Sequence, residues 1–420
     1  MKDIRQRSRR VVGFASATIL IDLAGLGIIL PVMPELIFEL TGASIGEASA
    51  IGGWLLFSYA AMQFLFSPVV GHLSDRLGRR PVLLAAIGGL AVNYALMAIA
   101  PSLLWLFVGR LFSGALGATY PVAAASVADV TEPEERVKQF GVLHAMIGLG
   151  LILGPLLGGL AAGHGVRAPF WVAACIATAT LIAGYFLFPE NLSGHDIRQN
   201  TDEGTRKIMR FSTSFMSSSG SLFIVFFLVE VSFQALPIIW AFYAINNLGW
   251  NATTIGYSMA IYGVFIALAQ IVLPRHMEGL FGSKVAGIAA LSCVTLAYLG
   301  LSFSSNETLI WGLILVMAAG TTIFPILQAV LSRRTERESQ GALQGSMSSI
   351  TAVASIVSPL VMTQLFKAFV GSDPIFGSVS WPGAPFFAAA VLSGLALLIY
   401  ARFFMSARTT ATNHKEHEHG

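Results

Sequence analysis

The stretch Gly71-His72-Leu73-Ser74-Asp75-Arg76-Leu77-Gly78-Arg79-Arg80-Pro81 is a charged turn between two long apolar blocks. Working outward from it, apolar segments run approximately over 11–34, 48–70, 81–100, 102–125, 138–162 and 168–188, and again over 219–246, 253–274, 285–303, 308–331, 342–366 and 384–405. Each is close to the ~20 residues that cross ~30 Å of hydrocarbon at ~1.5 Å per residue. The chain is 55% hydrophobic and 11% charged, against roughly 25% charged for a soluble domain. Lipid is therefore its solvent, and the expected fold class is an all-α integral membrane protein with twelve transmembrane helices in two six-helix bundles.

The polar interval from Pro189 to Gly220 carries Glu190, Asp196, Arg198, Asp202, Glu203, Arg206, Lys207 and Arg210. It divides the chain into a first bundle over 1–188, a cytoplasmic linker over 189–218, a second bundle over 219–406 and a tail over 407–420. With the amino terminus inside, every Lys and Arg except Arg110, Arg167 and Lys367 falls on the cytoplasmic side, so both termini are expected there. A net charge of +3, with the bases other than Arg110 lying between the apolar blocks or near their ends, excludes nucleic acid as a partner. Cys175 and Cys293 lie inside apolar segments and do not suggest a disulfide framework. The first apolar run contains Asp22 and leads to Pro31 and Pro34 rather than a cleavage site, so it is read as a retained span. The histidines at 72, 144, 164 and 276 are scattered, and no metal site is expected, apart from weak binding open to His414, His417 and His419 in the tail.

In the opening turn, Gly71 is expected to let two helices approach closely, Asp75 to sit against a helix end, and Arg76, Arg79 and Arg80 to lock a surface through charged hydrogen bonds across the Gly78 turn. Asp129, at the end of span four, opens Asp129-Val130-Thr131-Glu132-Pro133-Glu134-Glu135-Arg136. The second half offers only Arg275-His276-Met277-Glu278-Gly279-Leu280-Phe281-Gly282-Ser283-Lys284 at the equivalent place. Span four contains Gly109-Arg110-Leu111-Phe112-Ser113-Gly114. Span five contains Gly150-Leu151-Ile152-Leu153-Gly154-Pro155-Leu156-Leu157-Gly158-Gly159. Its glycines at 150, 154 and 158 share one helix face suited to tight packing, and Pro155 removes a backbone hydrogen bond.

These motifs resemble those of the major facilitator superfamily: the G-x-L-x-D-R-x-G-R-R loop, the buried arginine of span four and the span-five signature of its antiporters, which covers Gly150, Gly154, Pro155, Gly158 and Gly159. The resemblance implies two related six-helix repeats, a gate in which Asp129 meets the Arg79 region, and a protein that works as a monomer. Leu30-Pro31-Val32-Met33-Pro34, Met62-Gln63, Gly117-Ala118-Thr119, Arg136-Val137-Lys138-Gln139-Phe140-Gly141 and Gln340-Gly341-Ala342-Leu343-Gln344-Gly345 are further similar to the tetracycline-resistance efflux proteins of Gram-negative bacteria. That family exchanges a cationic tetracycline chelate for protons across the inner membrane.

Ionisable groups are scarce in the spans, and a charge at mid-bilayer costs at least ~2.5–3.5 kcal/mol. Asp22, Arg110 and Glu230 each stand near the midplane by helical counting. They are expected to face one cavity, Asp22 and Glu230 as protonatable groups and Arg110 as the group that tunes the first-half carboxylate, or as its structural ion-pair partner. Gln234 shares the helix face of Glu230, Trp240 follows beyond Pro237, and Gln63, Asn93, Gln270 and Gln328 supply further intramembrane amides. These six are the candidate cargo contacts, although such amides also bind helices together.

The chain departs from the tetracycline family's pattern. Asn93 stands where that family has a carboxylate and Ile266 where it has a histidine. No acid lies between Lys284 and Glu307, and Glu230 replaces a glutamine. Proton-driven export of a small amphipathic compound is the expected function, with protons as coupling ion and no cofactor. Export of an endogenous metabolite such as a siderophore and proton-coupled import are the alternatives. Enzymatic motifs such as H-E-x-x-H, G-x-S-x-G or a P-loop are absent.

Overall fold

A computed structural model describes the chain except for residues 1, 118, 133–134, 188–200, 337–338, 372–379 and 418–420. The charged positions of the linker up to Arg198, and His419 of the tail, lie outside the described residues. The secondary structure is helical: α1 Lys2–Ile29, α2 Met33–Thr41, α3 Ile45–Leu77, α4 Arg79–Ala98, α5 Leu103–Leu116, α6 Thr119–Val130, α7 Arg136–Ala162, α8 Ala168–Leu187, α9 Thr201–Leu248, α10 Ala252–Phe303, α11 Glu307–Gly320, α12 Ile323–Arg333, α13 Gln340–Val370 and α14 Ala384–His417. Local chemistry sets several boundaries. Pro34 opens α2, Gly42 ends it in the left-handed region at φ 63°, and Ser44 with Glu47 makes a reciprocal capping box at α3.

Eleven described helical stretches are long and apolar enough to cross a membrane. One of them, Ala252–Phe303, has 52 residues and a non-helical Gly282 at φ 74°, ψ 164°, so it makes two crossings and the total is twelve. Large apolar side chains point outward, with Phe186 and Ile271 both 77% exposed, as lipid permits and water would not.

The second half repeats the first in register. Gly78 separates α3 from α4 at φ 94°, ψ 156°, nearly the conformation of Gly282. A positive φ of this kind favours glycine because it lacks Cβ. Counting onward from these two glycines, the break between Leu116 and Thr119 falls where the break between Gly320 and Ile323 falls, and Val130 matches Arg334. The repeat is thus plain in the backbone where the sequence of the second turn has diverged.

Among the first-half helices, α1 packs most extensively on α7, α4 on α8 and α3 on α5. The α1–α7 seam is built on the glycine face read from the sequence. A Cβ at Gly150 would sit 2.8 Å from Leu23 Cβ, one at Gly154 would sit 2.6 Å from the Ala24 carbonyl oxygen, and one at Gly158 would collide with the Ile28 carbonyl. Gly27 of α1 faces back, its hypothetical Cβ 2.7 Å from Pro155 Cδ. Gly159 turns instead to α10, where Thr253 Oγ1 donates to its carbonyl at 2.8 Å and Gly256 lies against it.

The chain divides into two compact units. One comprises Met1–Ile197, Pro237–Gly263 and Pro359–Ser380; the other comprises Arg198–Leu236, Val264–Ser358 and Trp381–Gly420. Two of the boundaries fall at the helix-interior prolines Pro237 of α9 and Pro359 of α13, where the missing backbone bond allows a bend. Each unit has its own core. Val11, Phe14, Ile19, Leu83, Ile87 and Val127 belong to the first, and Leu222, Phe226, Leu291, Ile323, Leu331 and Tyr400 to the second.

Overpacking a tight seam typically costs ~1–3 kcal/mol. Gly154→Leu should therefore lower the thermal unfolding midpoint of detergent-purified protein by several degrees. Gly141→Leu, where nothing lies within 4 Å of the added Cβ, should leave it unchanged.

Candidate transport site

In the first unit the polar chemistry gathers at the break in span four. The chain leaves helical geometry at Gly117, whose amide still donates to the Ser113 carbonyl at 2.7 Å. A break inside a membrane leaves carbonyls that need donors. Gln63 Nε2 meets that need, donating to the Gly117 carbonyl at 2.9 Å and to Tyr59 Oη at 3.3 Å. Thr119, the first residue of α6, donates its hydroxyl to Asp22 Oδ2 at 2.6 Å, and both side chains are buried.

Arg110 is 3% exposed on α5, and its Nε has no hydrogen-bond partner. Among the described residues, neither Arg110 nor Asp22 is in an ion pair within 4.0 Å, so the structural Asp22–Arg110 pair considered above is not made. The hydroxyls of Tyr59 and Tyr94 lie within electrostatic reach of both charged groups. Tyr94 presses its hydroxyl onto α1 at Gly25, where no Cβ would fit.

In the second unit a polar ladder joins α9 to α13. Thr351 Oγ1 donates to Glu230 Oε1 at 2.8 Å, and one turn along Gln234 Nε2 donates to Ser355 Oγ at 2.9 Å. The ring of Phe233 lies on the same helix, 5.0 Å from that of Phe324. A carboxylate, an amide and two hydroxyls are thus aligned between α9 and α13, while the Phe233 and Phe324 rings pack against the core of the unit.

Other candidates stand elsewhere. Asn93 is buried on α4, with Nδ2 3.6 Å from Met97 Sδ and Oδ1 facing Gly109 without a partner. Trp240 is 2% exposed, donates its indole N–H to Ser258 Oγ at 2.7 Å, stacks on Tyr243 and meets Trp250 edge-on. It is in the first compact unit, whereas Glu230 and Gln234 are in the second. Its environment is that of a packing anchor, so the expectation of a ring open to cargo is not met. Gln270 and Gln328 are exposed on their helices.

At the first-half turn, Arg79 gathers three oxygens: Ser74 Oγ at 2.6 Å, Asp75 Oδ1 at 2.6 Å and Asp129 Oδ2 at 3.2 Å. Arg80 donates to the Tyr185 carbonyl at 2.6 Å and lies 5.8 Å from that ring, while Arg76 is exposed. Gly71 corrects the sequence argument. A Cβ there would meet nothing within 4 Å, so no close helix approach explains it, and its carbonyl serves as acceptor for Ser74 Oγ at 2.7 Å.

Thr119, Thr351, Ser355, Tyr59 and Tyr94 were not legible as site residues. Hydroxyls are common in apolar helices and usually bond to their own helix, as Thr18 does to Phe14.

Twelve apolar crossings in two repeats, with the buried Asp22 and the half-buried Glu230 inside them, define a polytopic membrane transporter rather than an enzyme. The family model described as Major Facilitator Superfamily matches residues 15–235 and 222–420, and the chain belongs to that superfamily. It is 36% identical to the class C tetracycline resistance protein of Escherichia coli over 87% of this chain and 91% of the relative. It is 34% identical to the class G tetracycline resistance protein of Vibrio anguillarum over 92% and 96% of the two chains. Among solved structures, a bacterial homologue of the human lysosomal transporter Spinster, inward-facing and unoccupied, superposes with a TM-score of 0.78 at 14% identity, covering 95% of this chain and 98% of that one.

Removing a fully buried large aromatic costs ~3–5 kcal/mol. Trp240→Ala should thus strongly reduce the amount of folded protein recovered from membranes, whereas Gln234→Ala and Ser355→Ala should leave recovery within about twofold of wild type. Quantitative immunoblotting with size-exclusion profiles measures this.

Proposed function

We propose that this chain is a proton-driven exporter of a small amphipathic organic compound, exchanging outward-moving cargo for inward-moving protons across a bacterial inner membrane. In this reading both termini are cytoplasmic, protons are the coupling ion and no cofactor takes part. Asp22 and Glu230 are the proton-carrying groups. Arg110 tunes the first-half carboxylate, and the region of Glu230, Gln234, Thr351 and Ser355 offers cargo contacts.

The observation that carries this reading is the kind of partner each carboxyl has. Asp22 and Glu230 are each held by a threonine hydroxyl from another helix, not by a cation. An ion pair favours the charged form of a carboxyl. A hydroxyl both donates and accepts, so it can bond to the ionised group and to the protonated one. Each threonine can therefore stay bonded to its carboxyl in either protonation state, as suits a group that loads and unloads once per cycle.

The likeness to proteins named for tetracycline resistance, over most of both chains, supports a drug-like cargo. The Glu230 carboxylate of the second unit favours one that is cationic or zwitterionic.

Everted membrane vesicles test the reading. With an imposed proton gradient, wild-type vesicles should accumulate tetracycline or another member of a panel of amphipathic antibiotics, and the accumulated compound should drive proton release. Asp22→Asn and Glu230→Gln should each reduce gradient-driven accumulation by at least about tenfold, corresponding to loss of ~1.4 kcal/mol or more of coupling. Normal accumulation and proton movement in both variants would refute the assignment.

A further inference from the structure

The second-half turn has lost most of the charged pattern of the first, yet the structure shows the same contacts rebuilt with residues exchanged between elements. In the repeat register set by Gly78 and Gly282, Ser283 stands where Arg79 does, Glu278 where Ser74 does, and Arg333 where Asp129 does. Acid and base have changed places. Arg333 Nη2 at the end of α12 donates to Glu278 Oε1 at 3.1 Å and to Ser283 Oγ at 2.6 Å, and Ser283 Oγ itself donates to Glu278 at 2.6 Å.

The neighbouring arginine moved as well. In the first half, Arg80 of the turn lies 5.8 Å from the ring of Tyr185 on α8. In the second half, Arg334 lies 4.5 Å from the ring of Phe403 on α14. The last helix is also tied to the turn directly, because Tyr400 Oη donates to the Ser283 carbonyl at 2.7 Å. The same three kinds of element are joined in both halves: the turn, the end of the broken helix and the last helix of the repeat.

We propose that Glu278, Ser283, Arg333 and Arg334 form a second latch, the transposed counterpart of the Arg79–Arg80–Asp129 cluster, which holds the Gly282 end of the second half together as one body. Two features separate this from a chance surface ion pair. Ser283 bridges both charges in a three-membered network, so the pair is geometrically fixed. The arginine doublet also keeps its division of labour, one member to an acid and the other to an aromatic ring, although it has moved to a different element. These are positioning residues, and they touch no cargo.

Backbone hydrogen exchange on the full-length protein in nanodiscs tests the latch without knowledge of the cargo. Glu278→Gln and Arg333→Gln should each accelerate exchange about tenfold, and together, at three separated places: the turn over 276–284, the end of α12 over 330–335, and α14 around Tyr400. The charge-swapped double variant Glu278→Arg with Arg333→Glu should restore slow exchange. So should a first-half transplant that combines Glu278→Ser, Gly279→Asp, Ser283→Arg and Arg333→Asp. Wild-type exchange in both neutral variants would overturn the proposal. Acceleration confined to the turn, or exchange in the swap and the transplant as fast as in the single variants, would overturn it too.

Discussion

Backbone contact between α1 and α7 is the constraint on which the first-half site depends. Between helices in lipid there is little hydrophobic gain, because acyl chains are as apolar as leucine, and association relies on close van der Waals packing. Gly150, Gly154 and Gly158 provide it by meeting α1 along Leu20, Leu23, Ala24, Gly27 and Ile28. Those positions form one face of α1 at helical spacing. Asp22 stands two residues from Leu20 and from Ala24, which turns it roughly to the opposite side. The glycine seam therefore fixes the direction of the carboxylate without touching it, and that direction leads to Thr119.

The break in span four follows the same logic of satisfied groups. Interrupting a helix in hydrocarbon would be costly if the freed backbone groups had no partners. Gln63 takes the Gly117 carbonyl, so this amide, read from sequence as a cargo contact, supports the bend that presents Thr119. The second half keeps the break but not the chemistry. Ile323 occupies the place of Thr119 and is fully buried in the core of its unit. Glu230 accordingly finds its hydroxyl on α13. The two carboxyl sites are similar in character but are not copies of one ancestral site.

What the sequence made legible was what lipid thickness and helical period dictate. Span lengths and the glycine face at 150, 154 and 158 rest on spacing, and the pairing of Arg79 with Asp129 rests on the resemblance of a long charged loop to that of a known superfamily. The partners of Asp22 and Glu230 did not, because nothing in a threonine's type distinguishes Thr119 from Ser126 or Thr180, each of which bonds to its own helix. Gly71 and Trp240 misled for a shared reason. A glycine was read as a close approach and a tryptophan as an open ring, and both readings require a neighbour that only tertiary structure supplies.

The decay of the second-half turn has a physical account of its own. Arg79 and Arg80 begin α4, an end where aligned backbone amides disfavour cations. Two acids, Asp75 and Asp129, are on hand to offset this at the Arg79 guanidinium, and the result is a dense pattern of charge that is conspicuous in the sequence. Arg333 and Arg334 instead end α12, where the free carbonyls favour positive charge. One acid, Glu278, then suffices at Arg333, and Gly279 can stand where Asp75 stands. Moving the arginines across the ion pair thus removes the need for most of the motif while keeping the contact, so the weaker pattern marks a transposition of the latch and not its loss.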